Sequence, residues 1–216
     1  MTDIKHYNSV FNQAIDDYHK YDNVDQPINN PYDAQSFDNL LYHKCWVDTV
    51  QWHLEDIIRD PEIDPAEALV IKRRIDKSNQ VRTDMVEDID TAYRNLYSNV
   101  TPLPTATINT ESPAWAVDRL SILALKIYHM REQAERKDAT ADHIAKCQAK
   151  LNILQQQQED LTLAIQQLLN DIQNGAKYMK VYRQMKCTTT PTPTPCSTKN
   201  KTTPLPPPVP YVAVPQ

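Results

Sequence analysis

Glycine is nearly missing from this chain. The 216 residues contain one, where average usage would give roughly fifteen. Phosphate-cradling loops, dinucleotide-binding turns and two-residue hairpins all depend on glycine for positive-φ backbone or close approach. A single glycine therefore excludes a Walker-type loop and a dinucleotide fold, and it argues against an all-β architecture. The four cysteines form no CxxC pair. Cys45 and Cys147 fall in helical patterns and read as reduced, partly buried thiols. The His and Cys spacing offers no closed four-ligand zinc set, and Ser/His/Asp catalysis lacks a nucleophile elbow. Positive charge is not in excess either: the net charge is −5. Nucleic acid has no electrostatic footprint to meet, and an anionic membrane surface no polybasic anchor. No apolar run approaches 18 residues, so no membrane span is expected. The first residues are polar, without an apolar signal core, which makes the cytoplasm the expected location.

At 40% apolar and 24% charged residues, the chain can bury a core. Its periodicity is helical. Apolar positions recur by threes and fours over residues 3–21, 36–59 and 64–97, then over 112–137 and from about 138 to 185. Asp64-Pro65 and Ser112-Pro113 are start signals, an N-cap followed by proline at the first helical position. The predicted fold is all-α: a single helical-bundle domain of about five helices over residues 1–186, with a long C-terminal helix and an irregular Pro/Thr-rich tail over 187–216. Leu151, Leu154, Leu161, Ile165, Leu168 and Ile172 mark the packing face of the fifth helix, which suits a bundle or a homodimer through that helix. The tail reads as a disordered Pro-rich segment of polyproline II character. It also reads as a frameshift product: shifted by one base, its codons permit a polar ending with a stop where Lys199-Asn200-Lys201 is translated.

Polar residues interrupt three apolar stripes. In the second helix the stripe is His43, Trp46, Val50, His53 and Ile57. In the third it runs Ile71, Ile75, Asn79, Arg82, Val86, Ile89 and Tyr93, and in the fourth Trp115, Asp118, Ile122, Leu125 and His129. Core-facing polar groups cost a few kcal/mol unless they are satisfied. His43, His53, Asn79, Arg82, Asp118 and His129 are thus expected to meet in one internal polar cluster. Such a cluster is either structural, with Asp118 paired to Arg82, or a pocket in which Arg82 holds a small anionic ligand. A second set is acidic: Glu55, Asp56 and Asp60 on one flank of the second helix, Asp84, Glu87 and Asp88 on the third. Carboxylates three or four apart on facing helices can hold Mg²⁺, although this spacing is also that of a solvated face.

Three segments carry a resemblance. They are His43-Lys-Cys-Trp-Val-Asp-Thr-Val-Gln-Trp-His-Leu-Glu-Asp and its continuation to Pro61, residues 75–87, and residues 118–130. They resemble a bacterial family designated domain of unknown function 4254, and the likeness extends over about residues 1–186. It implies a mainly helical cytoplasmic protein and a glycan-synthesis enzyme as a partner, and it supplies no catalytic residues. Three functions follow: binding of a small anionic ligand or action in surface-glycan synthesis; a metal-dependent hydrolase of a nucleotide or sugar nucleotide; or a helical interaction protein whose polar core is only structural.

Overall fold

The computed structural model describes residues 3–182. The tail expectations fall outside them. Five helices form a bundle: α1 Ile4–Tyr18, α2 Phe37–Ile58, α3 Pro65–Leu96, α4 Pro113–Ala134 and α5 Ala141–Gln173. The helix starts follow the cap signals. Ser36 Oγ accepts from Asn39 N–H at 3.1 Å, and Asp64 accepts from the N–H groups of Ala66 and Glu67 ahead of Pro65. Ser112 departs from the pattern, since its side chain makes no cap of its own. Its hydroxyl donates instead to Asp90 of α3 at 2.6 Å, and the same carboxylate accepts the Ala114 N–H at 3.3 Å. The start of α4 is therefore capped from another helix, which fixes α3 against α4.

The lone glycine explains why α5 stops at Gln173 rather than near residue 185. Gly175 has φ 71°, the left-handed conformation that closes many helices. Its N–H meets Ile172 O at 3.0 Å and the Ala176 N–H meets Asp171 O at 2.8 Å, the paired bonds of a Schellman motif. A Cβ at this position would lie 2.9 Å from Thr101 O. The absence of a side chain lets the 101–103 segment cross the helix end, where Leu103 N–H bonds Gly175 O at 2.9 Å. Two short parallel strands, β1 Thr107–Ile108 and β2 Lys177–Tyr178, extend this contact. The segment joining α3 to α4 is thus partly paired.

The core is continuous through α1, α2, the C-terminal half of α3, α4 and Ile165 and Leu169 of α5. A second cluster joins α4 to α5 through Leu123, Ile127, Cys147 and Leu151. Leu151, Leu154, Leu161 and Ile165 of the predicted packing face of α5 are therefore engaged within the chain, and Leu168 is half-buried. The exposed large residues of α5, Ile153 and Leu163, are ten positions apart, about 80° around the helix. Trp115, expected in the core, is 38% exposed, because Val117, Asp118, Leu120 and Ser121 set the inward phase of α4. No described helix is long and apolar enough to cross a membrane.

Candidate functional site

Four charges meet where α2, α3 and α4 converge. Lys44 is fully buried, with its Nζ 2.6 Å from Asp48 Oδ2 and 2.7 Å from Asp118 Oδ1. Arg82 donates from Nε to Asp48 Oδ1 at 2.6 Å, and its Nη2 stands 3.6 Å from Asp118. Ser121 Oγ donates to Asp48 Oδ2 at 2.7 Å. Two cations and two anions balance, and Asp48 receives donors on both oxygens, the condition under which a buried charge is tolerated. The neighbouring Cys45 thiol is pushed up to about 12, first by burial and then by the Asp48 charge; it is a packing group rather than a nucleophile.

This quartet contains the expected Arg82 and Asp118 and two residues that sequence reasoning missed, Lys44 and Asp48. The cause is a phase error on α2. The stripe drawn through His43 puts Lys44 and Asp48 outside, where an i,i+4 pair passes as a surface ion pair. In the structure Leu41, Tyr42, Lys44, Cys45, Trp46, Asp48, Thr49 and Gln51 are buried and His43 is exposed. α2 is a central helix touching α1, α3 and α4, so its buried arc is too wide for a single narrow stripe to identify. A signal was present in Ser121 of α4, one turn after Asp118 and facing the same way.

A cleft of about 220 Å³ opens beside the quartet, lined by Asp48, Gln51, Trp52, Glu55, Arg59, Arg82, Ile122 and Leu125. At 3.6 Å from Asp118, Arg82 Nη2 is beyond normal hydrogen-bond reach, and the guanidinium, fixed through Nε, belongs to a side chain that also lines the opening. Gln51 donates from Nε2 to Asn79 Oδ1 at 2.8 Å, while its buried Oε1 meets no partner among the described residues. Asn79 itself lies on the exposed side of α3; it reaches the cleft only through Gln51.

His53 and His129 do not join the quartet, so the expected cluster divides into two. These histidines meet His19, which follows the last residue of α1. Ring centroids are 5.2 Å apart for His19 and His53, 5.3 Å for His19 and His129, and 5.5 Å for His53 and His129. Burial holds His53 below the ordinary histidine value; Asp22 opposes this, and His19 and His129 add to it. Trp52 separates the two places: it walls the cleft and stacks on His129 at 4.9 Å.

The acidic set does not gather. Glu55 and Asp56 face Arg59 at 3.8 and 3.1 Å, and Asp84 accepts from Gln80. Among the described residues, the group whose potential ligand atoms lie within 4.8 Å of one another is His19, His53 and His129, without Glu55, Asp56, Asp84 or Glu87. Glu55 and Asp56 are thus engaged with Arg59, and Asp84 with Gln80, each on its own helix or at its end.

Together these features define an all-α bundle with a neutralised charge quartet in its core and a small polar cleft above it. Residues 38–181 match the family described as protein of unknown function DUF4254, and the chain belongs to that family. No curated protein and no solved structure matches it.

Proposed function

We propose that the cleft over Arg82 binds a small hydroxylated anion of the sugar-phosphate class. The observation that carries this reading is Arg82, whose guanidinium is held through Nε on Asp48 and whose side chain lines the cleft. A pre-positioned planar donor pair favours phosphate or carboxylate over a point charge. Arg59, exposed and paired with Asp56, supplies a second cation at the rim. The unpartnered Gln51 Oε1 calls for a donor, which a hydroxyl provides. Trp52, Ile122 and Leu125 offer an apolar wall for a ring face. The volume lies below the roughly 300–1,000 Å³ of sites that enclose drug-sized ligands, in keeping with a small metabolite. A hydroxylated anion is also what a surface-glycan enzyme handles, and this links the cleft to the partner implied by the family resemblance.

Thermal-shift titration tests the reading. Inorganic phosphate and a hexose 6-phosphate are expected to raise the melting temperature with saturation, and the neutral hexose is not. Ligand at a hundred times its Kd adds about 2.7 kcal/mol, an easily read shift. Arg82→Lys keeps the charge but loses the fork, and is expected to weaken binding at least tenfold. Gln51→Leu is expected to weaken the hexose phosphate more than phosphate alone. Equal response of Arg82→Lys and wild type, or no response to any anion, overturns the proposal.

A further inference from the structure

The three histidines are spaced and oriented as ligands. His19 Nδ1 lies 2.7 Å from Ile15 O. A carbonyl only accepts, so the ring proton sits on Nδ1 and Nε2 carries a lone pair. His129 Nδ1 lies 2.9 Å from Glu132 Oε2, and the same logic leaves its Nε2 bare. That Nε2 is buried and meets no hydrogen-bond partner among the described residues. His53 Nε2 stands 3.2 Å from His19 Nε2.

Each ring is also held by a different aromatic side chain. Tyr18 stacks on His53 at 5.0 Å, Tyr128 on His19 at 4.2 Å and Trp52 on His129 at 4.9 Å. The imidazole planes are inclined to one another by 60°, 72° and 72°, as in a three-bladed propeller.

We propose that His19, His53 and His129 form a site for one divalent transition-metal ion of the zinc class. Two imidazole nitrogens at about 2.0–2.1 Å from a tetrahedral ion lie about 3.3 Å apart, with ring centres about 5.2 Å apart. The His19–His53 nitrogen separation of 3.2 Å and the centroid triangle of 5.2–5.5 Å fall on this geometry. Imidazole selects zinc, copper, nickel or iron over Mg²⁺ and Ca²⁺, which take oxygen ligands. The Nδ1 partners Ile15 O and Glu132 are the outer contacts that orient metal-bound histidines. Three protein ligands leave a fourth position open. Asp22, with its Oδ1 3.6 Å from His53 Nε2, stands at the rim of that position and is exposed. The site does not rest on the anion reading of the cleft; Trp52 is the side chain that borders both.

Isothermal titration of the EDTA-dialysed full chain with zinc chloride, without other ligand, reads the site directly. One ion per chain is expected, and Co²⁺ in its place is expected to give the intense visible bands of four-coordinate cobalt. His19→Ala and His53→Ala are each expected to weaken zinc binding about 100-fold or more. Glu132→Gln, which leaves all three ligands in place, is expected to weaken it about tenfold through ring orientation. The Glu132 variant and the wild-type cobalt spectrum keep the test decisive should either alanine variant fail to fold. Failure of the wild type to bind zinc overturns the proposal. So does undiminished binding in His53→Ala, which would place the ion elsewhere, for instance at His143 and Cys147, whose Nε2 and Sγ lie 3.4 Å apart.

Discussion

Replacing Lys44 by Met keeps the length of the side chain and removes its charge. Lys44 holds two carboxylates at 2.6 and 2.7 Å. At an effective dielectric constant near 20, each contact is an attraction of about 6 kcal/mol. The desolvation of the ammonium, several kcal/mol, and its repulsion by Arg82 oppose that sum. The net loss expected when one member of a buried ionic set is removed is about 3–5 kcal/mol. The change is not a cavity effect, because Met fills the space. It arises because Asp48 and Asp118, both at most 9% exposed, are left to share Arg82 as their only cation in the quartet. With a denaturant slope of about 2 kcal/mol per molar urea, the midpoint should fall by about 1.5–2.5 M. Adding Asp118→Asn removes the uncompensated charge. The double variant is therefore expected to be more stable than the sum of the single losses predicts, by about 0.5–3 kcal/mol. Urea unfolding followed by tryptophan fluorescence measures all three variants. A loss below about 1 kcal/mol for Lys44→Met, or strict additivity with Asp118→Asn, would refute the argument that the quartet acts as one charge-balanced unit.

Two further outcomes follow from single residues. Gly175→Ala places a Cβ in left-handed backbone against Thr101 O and should cost about 1–3 kcal/mol; an unchanged urea midpoint would mean that the helix end rearranges freely. Cys45, with its thiol raised to about 12, carries almost no thiolate at pH 8, and its reactivity should climb as pH rises toward that value. Site-resolved mass spectrometry after iodoacetamide at pH 8 should find it unmodified in the native chain and modified in urea; rapid native labelling contradicts its burial.

Helices and caps were legible because their signals are local. Asp64-Pro65 and the polar periodicity of α3 place that helix to within a residue, and Asn79 and Arg82 were singled out because α3 has one narrow buried stripe. α2 defeated the same procedure, since packing against three helices makes almost every turn part buried. Its hydrophobic pattern therefore cannot say that Lys44 points in and His43 out. The end of α5 was misplaced although its signal, the only glycine of the chain, was visible. Residues of good helical propensity such as Ala176, Lys177, Met179 and Lys180 continue beyond it, and propensity alone does not show that residues 101–103 will cross that point.

His19 shows a different limit. It lies outside any stripe, at a helix end, and nothing within a few residues marks it as a ligand. It becomes one only because the last turn of α1 delivers it beside position 53 of α2 and position 129 of α4, three sites separated by 34 and 76 positions in the chain. Spacing rules for zinc recognise ligands that share a turn or a short loop, and so they returned nothing here. α2 resolves the apparent single polar cluster into two. Positions 44, 48 and 51 present the quartet and cleft, position 53 turns to the histidines, and Trp52 between them touches both. A ligand seated against Trp52 would bear on the ring that orients His129. Should both sites be occupied, their affinities must be coupled reciprocally by whatever factor that contact supplies.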